Sequence, residues 1–168
     1  EGNYEEGWIE NEWRWKCHDF PSSWRQFPYP QWQGEPLKGR RVLVWSEQGI
    51  GDEIMFANPI PDLLASGAEL VLECNDRLAP IFQRSFPDAA VVARSDPPSG
   101  LIDGAGIDYQ APMASLCTYL RSSKISFTAN RGRYLEPEPT RVAELRTRYQ
   151  ALGPGLNIGI CWRSGNPI

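Results

Sequence analysis

The sequence has 168 residues, of which 41% are hydrophobic and 23% charged, and its formal net charge is −4. This length and composition predict a globular domain with its own core and argue against a disordered chain. No apolar run approaches the length of a membrane span, and a sequence pI near 5.1 argues against nucleic acid bound by general electrostatics.

The four cysteines indicate a reducing compartment. They are far apart, and Cys74, Cys117 and Cys161 stand in apolar stretches, as buried thiols do. Cys17, beside the single histidine His18, is too little for a zinc site. We therefore expect a cytoplasmic protein with no bound metal.

Both ends suggest a piece of a longer protein, because the chain opens without methionine and stops directly after an apolar stretch. We predict four parts. These are a terminal helix over 1–16, a proline- and aromatic-rich connector over 17–39, a Rossmann-like domain over 40–163, and the start of a linker over 164–168.

The first fifteen residues predict a helix with two apolar faces. At about 100° per residue, Tyr4, Trp8 and Trp15 share one face, while Ile9 and Trp13 lie nearly opposite. Such a helix should be covered on both sides. We therefore expect Trp8, Trp13 and Trp15 to be largely buried.

Four prolines in the connector forbid regular structure, and the aromatic residues between them add apolar bulk. The aromatic residues are Trp24, Phe27, Tyr29 and Trp32. We expect this segment to pack in an extended form on the surface of the domain. The alternative is that Trp24 and Trp32 form a platform on which a sugar stacks.

From Arg41 onward, strands alternate with helices, which predicts a parallel sheet in a Rossmann-like α/β fold. The predicted strands are Arg41–Trp45, Glu69–Glu73, Ala89–Ala93, Ile107–Gln110 and Leu156–Trp162. The predicted helices are Asp52–Ser66, kinked or divided by Pro59 and Pro61, then Asn75–Ser85, Pro112–Arg121 and Pro139–Leu152.

The stretch between the first strand and the first of these helices is the best candidate for a site. Glu47-Gln48-Gly49-Ile50-Gly51-Asp52 places two glycines and an acidic residue where a strand meets a helix start, and open α/β sheets hold ligands at such turns. We expect Gly49 and Gly51 to supply a positive φ or a close backbone approach. The structural alternative is that Asp52 only caps its helix.

A dinucleotide-binding fingerprint fits this stretch poorly. Gly-x-Gly-x-x-Gly needs a third glycine where Ile54 stands, and Asp52 and Glu53 would repel a pyrophosphate. Glu73, at the end of the second strand, is the one feature in favour, since a ribose-binding acid belongs there. A nucleotide-binding oxidoreductase is therefore the weakest of the interpretations.

The segment Glu47–Ala57 resembles the glutamate-glutamine-glycine-x-glycine-aspartate segment of bacterial tetratricopeptide-repeat proteins with a glycosyltransferase-like region. It is also similar to the glycine-aspartate motif of the ADP-heptose:lipopolysaccharide heptosyltransferases, glycosyltransferase family nine. Further segments match in order along nearly the whole chain. They are Gly2–Trp8 with Glu12–Trp15, similar to a last repeat helix, then Pro30–Glu35, Gly67-Ala68, Asp108–Gln110 and Gly159–Trp162.

This resemblance implies a GT-B architecture in which the chain is the N-terminal, acceptor-side domain. The nucleotide-sugar donor would bind an absent C-terminal domain, and no metal or other cofactor is implied. Asp52 matches the catalytic aspartate, which as general base accepts the proton of a hydroxyl on a protein or glycan acceptor. The predicted substrate-binding residues beside it are Glu47, Gln48, Gly49 and Gly51.

Two departures from the family pattern limit what is expected of this chain. Ala57-Asn58-Pro59 lacks the basic and aromatic residues that relatives carry in the first helix, and the donor domain is absent. We therefore expect these 168 residues alone not to turn over substrate. The alternative from another class is a non-catalytic interaction module attached to tetratricopeptide repeats, with a protein partner.

Overall fold

The computed structural model describes residues 2–103, 106–128 and 132–161. Contacts between Cα atoms divide the chain into two compact units, residues 1–136 and residues 137–168. The predicted linker over 164–168 lies outside the described residues, and the four predicted domain bounds stay a prediction.

A four-stranded sheet organises the first unit. Its strands are β1 (Arg41–Trp45), β2 (Glu69–Cys74), β3 (Ala90–Ala93) and β4 (Tyr109–Pro112). Its helices are α1 (Tyr4–Asn11), α2 (Ile50–Phe56), α3 (Ile60–Ala65), α4 (Ala79–Ser85), α5 (Leu116–Leu120) and α6 (Lys124–Thr128). All strand pairs are parallel, in the order β3-β2-β1-β4. This is the predicted Rossmann-like α/β fold.

Strand β1 is buried on both faces. Val42 and Val44 belong to the core cluster on one side of the sheet, whereas Leu43 and Trp45 belong to the cluster on the other side. Successive side chains of a strand point to opposite faces. A continuous apolar run is therefore what a parallel strand covered on both sides requires.

Helices α2 to α5 cover the first face of the sheet. The predicted long helix is divided, because α2 ends at Phe56 and α3 begins at Ile60, directly after Pro59. A proline inside a helix removes a hydrogen bond and clashes with the preceding turn. The break therefore falls where the prolines predict it, and Phe56, Ile60 and Leu63 point into the core.

The connector covers the second face. Phe27 and Tyr29 pack against the cluster that contains Trp45, and the Tyr29 hydroxyl donates to the carbonyl of Ile102 at 2.6 Å. Aromatic side chains therefore replace the helices that would otherwise shield this side of the sheet. The predicted packing of the connector on the domain is confirmed.

The connector also lines the outer edge of β4. The N–H of Trp32 donates to the carbonyl of Gln110, and the N–H of Gln110 donates to the carbonyl of Pro30, both at 2.9 Å. Trp32 is 4% exposed and Trp24 is 39% exposed. Of the two residues of the sugar-platform alternative, Trp32 therefore belongs to the core.

The predicted terminal helix is α1, followed by a 3₁₀ turn over Glu12–Lys16. Trp8 and Trp15 are partly buried, but Ile9 and Trp13 are each 55% exposed. The expected burial is therefore wrong for Trp13. One face of this N-terminal segment packs on the domain, whereas Ile9 is exposed on the other and the ring of Trp13 is contacted by the Lys16 ammonium, 3.9 Å from its centroid.

Helix α7 (Pro139–Gln150) forms the regular part of the second unit. The carboxylate of Glu138 accepts the N–H of Thr140 at 2.9 Å and that of Arg141 at 2.6 Å. Pro139 suits the first helical position, where no partner for an N–H exists. The predicted start of this helix is confirmed.

Two predicted elements differ from the structure. Helix α6 forms between the predicted helices Pro112–Arg121 and Pro139–Leu152, where the sequence predicts no helix or strand. The predicted strand over 156–162 is absent from its described part, since residues 156–161 are exposed and have no regular structure; Trp162 lies outside the described residues. Alternating Leu156, Ile158 and Ile160 favour a strand, but a strand also needs a neighbour to supply hydrogen bonds.

Candidate functional site

The β1–α2 loop, residues 46–49, leaves the carboxyl end of β1 and enters α2 at Ile50. Strand β1 lies between β2 and β4. The strands that follow β1 in sequence, β2 and β3, lie on one side of it, and β4 lies on the other. The crevice outside the carboxyl ends of the strands at such a switch point is where open α/β sheets hold ligands. The predicted loop lies at this edge.

Asp52 is half-buried in the first turn of α2. Its Oδ2 accepts the N–H of Gly49 at 3.1 Å, which is one half of a capping box. Asp52 therefore does cap its helix. Within the described residues, the side chain of Asp52 makes this one hydrogen bond, through Oδ2. Oδ1 is therefore left for a ligand. Helix capping and the predicted acceptance of a proton can thus use different oxygens.

Neither glycine of the predicted motif has a positive φ. Gly49 is extended, with φ −98°, and the left-handed residue is Gln48, with φ 65°. The N–H of Gln48 donates to Ser22 Oγ at 2.6 Å, an anchor from the connector that the loop sequence does not reveal. A Cβ on Gly51 would meet nothing within 4 Å. No internal contact therefore requires a glycine at position 51.

Glu47, a predicted substrate-binding residue, has a side chain that is 0% exposed. Arg14 binds it with both arms of the guanidinium, from Nε to Oε2 at 2.9 Å and from Nη2 to Oε1 at 2.7 Å. The N–H of Ala114 also donates to Oε1, at 3.1 Å. The carboxylate thus joins the loop to the turn after α1 and to the segment after β4.

Arg14 is 8% exposed and has further partners besides Glu47. It donates to Ser115 Oγ at 2.9 Å and to Glu12 Oε1 at 2.7 Å, and Ser115 donates to the same Glu12 oxygen at 2.8 Å. Burial alone would lower the pKa of Arg14, but its hydrogen bonds to Glu47 and Glu12, and their charges, raise it overall. The guanidinium therefore stays charged.

Glu53 is 4% exposed, and its Oε2 accepts the N–H of Asn75 at 2.8 Å. This bond ties α2 to the end of β2. Burial raises the pKa of Glu53 to about 7, while the bond from Asn75 and the positive charge of Arg94 act in the opposite direction. The amount of negative charge beside Asp52 therefore changes around neutral pH.

Glu73 is fully buried at the end of β2 and accepts a hydrogen bond from Arg25 Nη1. Arg25 also stacks on the ring of Phe27, 4.7 Å from its centroid. Glu73 is therefore committed to the connector, which further disfavours a ribose-binding role. An open cleft of about 330 Å³ lies beside this pair and is lined by Arg25, Arg94, Ser95, Asp96 and Pro98.

The predicted site residues do not include Arg14 and Arg25, which bind the buried carboxylates of Glu47 and Glu73. Arg14 does carry a signal, because an arginine between Trp13 and Trp15 in a helix expected to pack needs an acidic partner. Arg25 carries no comparable signal. Its position depends on the path of a proline-rich segment over the finished sheet.

No group of three or more histidine, cysteine, aspartate or glutamate side chains that could hold a metal occurs in residues 2–103, 106–128 and 132–161. Cys74 and Cys117 are buried free thiols, as predicted, and burial raises the pKa of each to about 12. Cys161 is exposed, contrary to prediction, and lies in a segment without regular structure. The described helices include none with the length and apolar character needed to cross a membrane.

Protein FlbA of Caulobacter vibrioides is similar to this chain, with 35% identity over 175 residues. The match covers 97% of this chain and 29% of FlbA, so the chain spans less than a third of that protein. No family model matches the chain, and no solved structure matches it. The chain thus has a bacterial homologue of greater length.

Proposed function

We propose that the chain is the acceptor-side domain of a metal-independent glycosyltransferase, with Asp52 as its general base. The nucleotide-sugar donor binds a second domain beyond these residues, and the acceptor is a protein or a glycan. The observation that carries the proposal is the position of Asp52. It is a partly exposed carboxylate at the carboxyl edge of a parallel sheet, with Oδ1 left for a ligand.

The chemistry requires a proton acceptor at this position. The acceptor hydroxyl forms a bond to the anomeric carbon of the sugar as the bond from that carbon to the nucleotide phosphate breaks. The hydroxyl proton passes to the Asp52 carboxylate, which must lie within hydrogen-bond reach. The nucleotide leaves with the electron pair of the broken bond, so the reaction needs no oxidant or reductant.

The glycines next to Asp52 support close approach by an acceptor. Gly51 is exposed and has no positive φ, and no neighbour lies within 4 Å of its Cβ position. Glycine at such a position has no structural reason within the described chain, whereas a ligand approaching the backbone supplies one. We propose that Gln48, Gly49 and Gly51 contact the acceptor, and that Glu47 contributes by shaping the loop.

The test is donor turnover by the full-length protein, with a panel of nucleotide sugars and protein or glycan acceptors. Asp52→Asn should reduce turnover by about 10²–10⁴-fold, the usual contribution of a general base. Asp76→Asn is the matched control, because Asp76 is an exposed aspartate in the segment after β2. Full turnover by Asp52→Asn would contradict the assignment of the base.

The second candidate function is a non-catalytic interaction module. It is favoured by an exposed face of the N-terminal segment, where Ile9 of α1 and Trp13 of the following 3₁₀ turn are each 55% exposed. Apolar side chains on such a face are typical of protein contacts. This function predicts that no donor is turned over and that both residues are protected in hydroxyl-radical footprinting of the full-length protein. Exposure of both residues together with turnover would exclude it.

The reducing compartment expected for the free cysteines remains part of the proposal. A transferase of this kind would act in the cytoplasm, where nucleotide sugars and reduced thiols occur together. Localisation of the full-length protein by fractionation would test this.

A further inference from the structure

The segment before β1 holds the β1–α2 loop at two successive residues. Arg14 binds the carboxylate of Glu47 through two hydrogen bonds of 2.9 and 2.7 Å. Ser22 Oγ accepts the N–H of Gln48 at 2.6 Å. Both anchors come from residues far from the loop in sequence, so the loop conformation depends on where the N-terminal segment lies.

The loop is held in a conformation that it would not choose alone. Gln48 has φ 65°, and a left-handed backbone is costly for a residue with a Cβ. Such a residue keeps this conformation only where its surroundings fix it. Here Glu47 on one side is bound by Arg14, and the N–H of Gln48 itself is bound by Ser22.

The next residue passes this constraint to the proposed base. The N–H of Gly49 donates to Asp52 Oδ2 at 3.1 Å, and the carbonyl of Gly49 accepts the N–H of Glu53 at 3.0 Å. The direction of the Gly49 peptide is set by the residues before it. A change at Glu47 or Gln48 therefore rotates the group that orients the Asp52 carboxylate.

We propose that Arg14 is a positioning residue of the candidate site, acting through Glu47 and the β1–α2 loop on the Asp52 carboxylate. The inference rests on the proposed role of Asp52 as general base. It makes the 3₁₀ turn after α1 part of the site, although that turn lies more than thirty residues before Asp52 in sequence.

An ion pair that only stabilises the fold would be a poor choice for this place. A buried pair must be desolvated, and well-packed apolar side chains often serve stability equally well or better. A guanidinium that binds both carboxylate oxygens fixes distance and direction together, which lysine cannot do. Arg14 is thus suited to holding a geometry.

The experiment uses the full-length protein and compares Arg14→Lys with Phe82→Leu. Lysine keeps the charge at position 14 and loses the two-armed contact. Phe82 is a fully buried residue of α4, so Phe82→Leu should lower stability without changing the loop. Both variants are measured at a temperature at which circular dichroism shows them folded.

Arg14→Lys should lower the turnover number by about tenfold or more, since small misplacements of reacting groups have effects of this size. The KM for the donor should not change, because the donor binds elsewhere. Amide exchange at Gly49 should become about tenfold faster, as expected for a locally loosened segment. Phe82→Leu should leave the turnover number and the Gly49 exchange as in the wild type.

The inference is overturned if Arg14→Lys retains wild-type exchange at Gly49, or if Phe82→Leu changes turnover and exchange as much as Arg14→Lys does. Asp52→Asn separates this outcome from a failure of the proposed function. If Asp52→Asn remains active, the role of Asp52 is wrong. If Asp52→Asn is inactive and Arg14→Lys is as active as the wild type, only the role of Arg14 is wrong. If no donor is turned over by the wild type, the rate of amide exchange at Gly49 in Arg14→Lys decides whether Arg14 positions the loop.

Discussion

The first half of the candidate site is anchored, and the second half is accessible. Ser46 and Glu47 are each 1% exposed, and Glu47 accepts hydrogen bonds from Arg14 and Ala114. Gly49 and Gly51 are exposed, and Asp52 is held by a bond from within the same turn. This contrast agrees with the proposal that the first half supports the site and the second half contacts the ligand.

Two buried carboxyls near the site show how partners determine charge. Glu47 and Glu53 are both buried, but only Glu47 is bound by a guanidinium. Glu53 accepts an N–H from Asn75, and burial raises its pKa to about 7. Burial therefore favours the neutral form of Glu53, whose partner is an uncharged N–H, whereas the partner of Glu47 is a guanidinium.

The largest expected effect on stability comes from breaking the ion pair between Arg14 and Glu47. Glu47→Ala leaves the buried guanidinium of Arg14 without its main partner, and removing one member of a buried pair destabilises by about 3–5 kcal/mol. The free energy of unfolding, measured by chemical denaturation, should fall by this amount. Glu12→Ala is the control, because Glu12 is 31% exposed and its loss should have a smaller effect. Equal effects of the two variants would show that Glu47 is not an anchor.

Glu53→Gln should change how stability depends on pH. The pKa of Glu53 is about 7 in the folded chain and 4.5 without burial, so the folded chain binds this proton more tightly. The stability that the protonated Glu53 side chain gives the folded chain is fully present below pH 4.5 and is lost as the pH rises through about 7. Glutamine cannot ionise, so the loss, up to about 3 kcal/mol for this shift, should be absent in the variant.

The measurement is chemical denaturation of both proteins at pH values between 5 and 8. The wild type should lose stability relative to Glu53→Gln as the pH rises. Glu69→Gln is the control, since Glu69 is exposed at the start of β2. Parallel curves for the wild type and Glu53→Gln would contradict the burial-raised pKa.

Local chemistry in the sequence predicts the elements of the fold, because each depends on neighbouring residues. The apolar run Arg41–Trp45 predicts β1, and Pro59 predicts the division between α2 and α3. The Asp52 position at the strand-to-helix turn is predictable in the same way. The pairing of Arg14 with Glu47 is not, because it needs the finished sheet to bring the two residues together.

The positive φ at Gln48 and the missing strand over 156–161 have the same explanation. Glycine tolerates a left-handed backbone best, so the sequence predicts a positive φ at Gly49 or Gly51. In the structure the positive φ is at Gln48, whose N–H donates to Ser22 Oγ. Alternating apolar residues are typical of strands, but pairing depends on a neighbour that the pattern does not contain. Predictions from local pattern are wrong where a distant partner decides the outcome.

The smallest expected effect lies in the accessible half of the site. Asp52→Ala removes the acceptor for the N–H of Gly49, an exposed group that water can then satisfy. Losing such a cap typically destabilises by about 0.5–2 kcal/mol, and the exposure of Gly49 favours the lower end. Thermal and chemical denaturation of Asp52→Ala beside Glu47→Ala would compare the two halves directly. A loss at Asp52 as large as that at Glu47 would make Asp52 a structural anchor too, and the contrast between the halves would no longer support a ligand-binding role for Asp52.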